Sequence, residues 1–150
     1  MVAIRNQQAG QSTVEFALTI LIVMVILLGA MEFIVMIYTY NVLADAAKEG
    51  VRYAIVHGTG TGAANCSGPG GGGISCSDST GANIQSVVNN YTRLSFHNSA
   101  AMTVTPSYPD SSSAAPSRVR VTISYVYQPF TNLGWPSMTV NAAAEGRIVF

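Results

Sequence analysis

Charge is what this 150-residue sequence has least of. Seven Lys and Arg and seven Asp and Glu make up 9% of the chain and cancel, against roughly a quarter in an ordinary soluble protein. So few scattered cations cannot neutralise a run of phosphates, which excludes a nucleic-acid-binding surface. The absent net charge, set beside 49% apolar residues, excludes a wholly disordered chain. A surface this poor in charge favours association over life as a soluble monomer. Histidine is nearly absent: His57 and His97 sit in no triad or H-E-x-x-H setting, so no catalytic residue is identified. Cysteine occurs only as Cys66 and Cys76. Their spacing is far longer than a zinc knuckle, so no metal site is expected, and no cofactor either. Proline is missing before Pro69, which leaves everything ahead of it free to form unbroken helix.

What is present begins with an apolar run. Phe16 to Met31 carries no charge, Glu32 interrupts it, and FIVMIYTY continues to Tyr40. That is long enough for a hydrocarbon core of ~30 Å, which takes about 20 residues. A cleaved secretory signal would be shorter and would end in small residues rather than Tyr-Thr-Tyr-Asn. Beyond it, in NVLADAAKEGVRYAIVH, Leu43, Ala46, Ala47, Gly50, Val51, Ala54 and Ile55 recur at three- and four-residue spacing. That spacing predicts an amphipathic helix. One continuous helix from about residue 12 to 57 follows, its first half suited to lipid and its second to a half-buried surface. Ala46, Gly50 and Ala54 form a stripe of small residues that permits close approach; at this position it is read as the seat of a sheet.

From Gly58 to Gly81 the chain holds nine of its glycines and reads as a loop. Cys66 and Cys76 flank its glycine run. A disulfide closing so short a loop offsets about 3 kcal/mol of ordering entropy and requires an oxidising compartment; the alternative is two free thiols without function. A second helix is predicted next, with Ile84, Val87, Val88, Tyr91 and Leu94 on one face and Ser79 or Thr80 as cap. Strands are predicted at 102–106, at 118–128 and at 138–150. In the second, Val119, Val121, Ile123, Tyr125 and Tyr127 alternate with polar residues; the third is expected to bulge near Gly146. The fold class expected is α+β, a long N-terminal helix with a small antiparallel sheet of three or four strands on its C-terminal half.

The front of the chain narrows this further. Gly10 is followed by Gln11-Ser-Thr-Val-Glu15-Phe16, which resembles the G-x-x-x-x-E-[YF] processing site of type IVb prepilins. Gly29 with Glu32-Phe33, Tyr38-x-Tyr40-Asn41 and the Ala46 to Ala54 block AAKEGVRYA extend the likeness over about 45 residues. Together they resemble the TadE-like family of pilin-like and pseudopilin-like proteins of tight-adherence pilus systems. The family often has a basic residue soon after its acidic-Phe pair; here Ile34 and Val35 stand there.

The resemblance implies a type IV pilin-like fold and three segments: a prepilin leader at 1–10, the long helix at 11–57, and an exported domain at 58–150. It implies a cut between Gly10 and Gln11 by a prepilin peptidase, with no enzymatic role for the chain itself. Glu15 would then sit in the first turn, where a negative charge suits the helix dipole, and would pair with the amino terminus of a neighbouring subunit. Glu32 lies about 100° around the helix from Glu15; it is read as marking the headgroup level, with Tyr38 and Tyr40 as an aromatic belt. The implied partners are other copies or related pilin subunits, the prepilin peptidase, the inner-membrane assembly machinery and, before assembly, the bilayer. The implied setting is the inner membrane with the C-terminal domain outside, then a surface filament serving adhesion, colonisation or biofilm formation. Charge bias supports that orientation little, because Arg5 stands alone before the span and Lys48 and Arg52 follow it. The rival reading is a single-span protein whose exported domain binds something without polymerising.

Overall fold

A computed structural model describes residues 5–93, 95, 101–131 and 134–150, with side chains from Gly10 onward. Met1 to Ile4 of the expected leader, Leu94 of the second helix and His97 lie outside the described residues. With no proline to stop it, the first segment is one α-helix, α1, Arg5–Val56, about 78 Å long at 1.5 Å per residue. It begins ahead of the expected start and runs through Gly10 and Gln11 without a break.

The second half of α1 acquires its neighbours from two directions. Helix α2, Ala82–Thr92, buries Ile84 and Val88. The sheet is a three-stranded antiparallel meander: β1, Met102–Ser107; β2, Arg118–Tyr127; β3, Met138–Arg147, with β2 central. Alternation decides its faces, as period-two patterning requires. Val119, Val121 and Ile123 are fully buried, while Arg118 and Arg120 are exposed. They pack with Leu43, Ala46, Ala47, Val51 and Ala54 of α1 into one core, joined by Ala142 and Ile148. The α+β architecture read from the sequence is the one observed.

Two local expectations change. The β2–β3 register runs unbroken from Arg118↔Arg147 to Tyr127↔Met138, so no bulge forms at Gly146. Gly146 is there for closeness instead. A Cβ added to it would lie 2.7 Å from both Val51 Cγ1 and Ile55 Cδ1. The inward residues of β3 shrink along the strand, from Met138 through Val140, Ala142 and Ala144 to Gly146, as the sheet closes on α1. At the wide end the gap stays open as an apolar cavity of about 390 Å³.

The cap of α2 is not Ser79 or Thr80 but Asp78. Its Oδ1 accepts from the Ala82 amide at 2.7 Å and its Oδ2 from the Asn83 amide at 2.9 Å. Ser67 Oγ also donates to Oδ2, at 2.7 Å. The glycine loop is pinned, as the expected disulfide requires. Cys66 and Cys76 are disulfide-bonded, Ser113 exchanges hydrogen bonds with Gly70, and the Tyr108 hydroxyl donates to the Ser67 carbonyl. The far end of α1 is closed by the C-terminal residues, where the Val149 amide donates to the Ile55 carbonyl.

Asp78 makes this cap pH-sensitive. Burial alone raises its pKa, but the hydrogen bonds from Ser67 and from the amides of Asn83, Ala82 and Gly81 outweigh that and hold it below the ordinary value. A carboxylate with a lowered folded pKa stabilises fully above its unfolded value of about 3.9. That contribution is lost as pH falls through the folded value. Thermal midpoints measured from pH 7 down to pH 3 should fall at the acid end. Asp78→Asn should lower the midpoint at pH 7 and flatten the acid limb; an unaltered acid limb would count against the assignment.

Candidate functional site

The site is the helix itself and its junction with the sheet. From Gly10 to Leu27 every residue of α1 is exposed, although most are Leu, Ile, Val, Phe or Met. Gly10–Val56 is the one stretch among the described residues long and apolar enough to cross a membrane. The residues singled out at its start lie together because a helix brings i and i+4 onto one face. The Gln11 side-chain amide donates to Glu15 Oε1 at 3.0 Å, and Thr19 Oγ1 donates to the Glu15 carbonyl at 2.8 Å. Phe16 projects freely, 67% exposed. A Cβ added at Gly10 would meet nothing within 4 Å. Glu15 lies about three turns inside α1, so its expected place in the first turn belongs only to a chain beginning at Gln11.

Cover begins around Leu28 and Gly29. From there the sheltered residues follow a regular path: Gly29, Glu32, Met36, Thr39, Leu43, Ala46 and Ala47, Gly50, Ala54. That is one stripe at three- and four-residue steps. The small-residue seat is where the sequence placed it, and Gly50 is its tightest point. A Cβ there would lie 2.7 Å from Val88 Cγ2 and 3.3 Å from Val121 Cγ1.

Glu32 is the correction. Expected at headgroup level, its carboxylate is instead enclosed by the protein, with the residue 3% exposed. The Tyr127 hydroxyl at the end of β2 donates to Oε1. The Phe130 amide donates to the same oxygen at 3.2 Å, and Thr131 Oγ1 donates to Oε2 at 3.3 Å. A buried carboxylate is costly unless its lone pairs are filled; here one donor from the end of β2 and two from the β2–β3 connection fill them. Burial, then the bond to Glu32, push the Tyr127 phenol up to about 12, so it remains a donor. The chain thus locks the Tyr127 end of the sheet to α1 at a point 95 residues away in sequence. Tyr38 and Tyr40 point outward, about half exposed.

Chemically, the contacts around Glu32 hold one segment of the chain to another. Among the described residues no three His, Cys, Asp or Glu side chains are grouped to hold a metal. Both thiols are taken up in the disulfide, and His57 Nδ1 bonds the Tyr53 carbonyl at 2.8 Å while its ring stacks on Tyr53.

The sequence reasoning missed Glu32 as a junction residue, together with its partners Tyr127, Phe130 and Thr131. The signal was available: counting the Ala54, Gly50, Leu43 stripe backward in steps of three and four reaches Thr39, Met36 and Glu32. No curated protein and no solved structure matches the chain. Residues 10–52 match the model of the pilus-related family described as TadE-like protein. The match spans Gly10, Glu15, Glu32 and Gly50, so over that segment, under a third of the chain, this sequence is similar to TadE-like proteins.

Proposed function

We propose that this chain is a structural subunit, a pilin or minor pilin-like component of a tight-adherence pilus, and not an enzyme. The observation that carries the reading is the TadE-like match over residues 10–52. It coincides with a helix whose first half exposes a run of mainly apolar side chains and whose second half carries the folded domain. A bare apolar helix of this kind needs lipid or other helices around it. Before assembly it spans the inner membrane with the sheet domain outside. The prepilin peptidase then cuts after Gly10, and the assembly machinery moves the helix from lipid into a bundle of its own kind.

Gly10 suits the cut for two reasons. It leaves the backbone unobstructed, and glycine costs a helix about 1 kcal/mol relative to alanine, which eases local unwinding at the site. Removal of residues 1–10 makes Gln11 the amino terminus. It leaves Glu15, four residues on and bonded by the Gln11 side chain, as the one carboxylate at the head of a mainly apolar helix. An unpaired charge in such surroundings is costly, and a neighbour's amino terminus in register relieves it.

Mass spectrometry of the mature protein tests processing, with a chain starting at Gln11 expected; an intact Met1, or a cut near Tyr40, would overturn it. Glu15→Ala tests assembly. Cleavage should proceed as before, while fibres counted by electron microscopy fall by about tenfold or more, as expected for loss of a buried charge partner. Unchanged fibre yield would sink the pairing role. Fibres bearing this chain along their length would make it a main subunit, and chains confined to tips a minor one.

A further inference from the structure

The connection between β2 and β3 carries side chains that the fold leaves uncovered. Trp135, Phe130 and Met138 are 48%, 59% and 48% exposed. Trp135 and Met138 line one cavity with Phe33 of α1, which is 59% exposed, and Phe130 lines the neighbouring one beside Val35 and Tyr38. A protein domain does not ordinarily display its sole tryptophan with a phenylalanine beside it and a second one close by in the chain.

Their height along α1 explains them. The Trp135 ring lies over Gly29, 3.3 Å from where a Cβ would be. The Phe130 amide is bonded to Glu32, one turn further on. Below Gly29 the helix is bare. Gln11 to Gly29 spans about 28 Å at 1.5 Å per residue, close to the ~30 Å of a hydrocarbon core. The aromatic cluster therefore sits at the level where hydrocarbon ends and headgroups begin. It is also free of net charge to offer: positions 128–138 contain no charged residue, and the one nearby carboxylate, Glu32, is turned inward and filled by donors. Tryptophan and its neighbours at the ends of a span are the side chains that the bilayer interface favours, because an apolar ring with one polar edge suits both phases.

We propose that the β2–β3 connection, through Trp135 and Phe130, is a membrane-interface anchor that dips into the outer leaflet beside the helix. The apolar cavity it roofs, lined by Gly29, Phe33, Met36, Pro136 and Met138, faces phospholipid acyl chains. The anchor fixes the height of the sheet domain over the bilayer, and the Glu32 bonds hold the connection at that height. The aromatic belt of this protein is thereby centred on Trp135 and Phe33, while Tyr38, beside Phe130, and Tyr40 stand about one and a half to two turns above Phe33. The inference rests on the membrane-spanning reading of α1, and its test separates the two.

Because Trp135 is the only tryptophan, it reports its own surroundings. The full chain is reconstituted into phosphatidylcholine vesicles brominated either near the carbonyl end or near the methyl end of the acyl chains. The expected result is emission at least halved by the shallow bromines, quenched less by the deep ones, and little affected by aqueous iodide. A second variant, Phe130→Trp with Trp135→Phe, should show the same shallow preference. Emission quenched by iodide and indifferent to bromine would overturn the proposal in favour of a water-exposed loop. Indifference to both would overturn it in favour of burial against a second copy. Alkaline carbonate extraction runs in parallel. A chain that resists extraction yet shows no bromine quenching retains its span and loses the anchor; a chain that is extracted loses both.

Discussion

Glu32→Ala is expected to free the β2–β3 connection from α1 and to lower the thermal midpoint of the domain by roughly 6–12 °C, at about 3 °C per kcal/mol. The substitution strips three donors of their acceptor: the Tyr127 hydroxyl, the Phe130 amide and Thr131 Oγ1. Each buried donor left unpaired costs about 1–3 kcal/mol, though those near the rim recover water and lose less, so a total of about 2–4 kcal/mol is reasonable. Glu32→Gln separates charge from shape. Its single carbonyl oxygen serves Tyr127 and Phe130, while its amide turns a donor toward Thr131, so a smaller loss is expected. Hydrogen exchange at the Phe130 amide reads the same event locally, with protection lost in Glu32→Ala and largely kept in Glu32→Gln. An unchanged melt together with unchanged exchange would mean that the sheet is held by its core alone. The consequence for function is positional. Without this bond the domain still folds on Leu43 to Ala54, but its Tyr127 end is no longer tied to the helix.

Gly50→Leu should be more damaging to the domain and harmless to insertion. The first added carbon already lies 2.7 Å from Val88 Cγ2, a β-branched side chain with little room to turn, and 3.4 Å from Ile84 Cγ2. Three further carbons have nowhere to go except by pushing α2 and β2 away from α1. Overpacking of this kind costs about 1–3 kcal/mol and sometimes more. Helix propensity returns at most about 1 kcal/mol of it. The expected outcome is a midpoint lowered by about 10 °C or failure of the domain to fold, seen by circular dichroism and by protease digestion of the folded part. Gly50→Ala, where propensity gain and steric cost oppose each other, should shift the midpoint by no more than about 3 °C. Membrane integration should be the same in all three proteins, because it depends on residues 11–29, which Gly50 does not touch. Loss of integration in Gly50→Leu would show that the two halves of α1 are not independent.

The two substitutions probe opposite ends of one stripe, and the ends were not equally readable. At the Gly50 end the sequence alternates small and apolar residues with Asp45, Lys48, Glu49 and Arg52, so the buried face stands out against charge. At the Glu32 end every neighbour is apolar, and contrast disappears. A carboxylate amid Phe, Ile, Val and Met looks like an interruption of a membrane span. Nothing local says that it faces a tyrosine from the other end of the chain. Asp78 was overlooked for a related reason. Ser79 and Thr80 stand nearer the start of α2, but the chain turns through Gly81, whose positive φ folds Asp78 back over the first amides of the helix.

What the sequence determined by itself is everything set by near neighbours. An unbroken α1, its apolar first half, the seat at Ala46, Gly50 and Ala54, the alternation of β2 and the TadE-like pattern are all periodic over a few residues. Period alone dictates which side chains share a face. What only the tertiary structure decided is where distant segments meet. It set the register that brings Gly146 onto Val51 and Ile55, the bonds from Tyr127, Phe130 and Thr131 to Glu32, and the level on α1 at which the domain begins. The physical reason is that a carboxylate or a glycine carries no mark of its distant partner. Its role exists only once the chain has closed on itself and the cost of leaving that group buried and alone has been met by another segment.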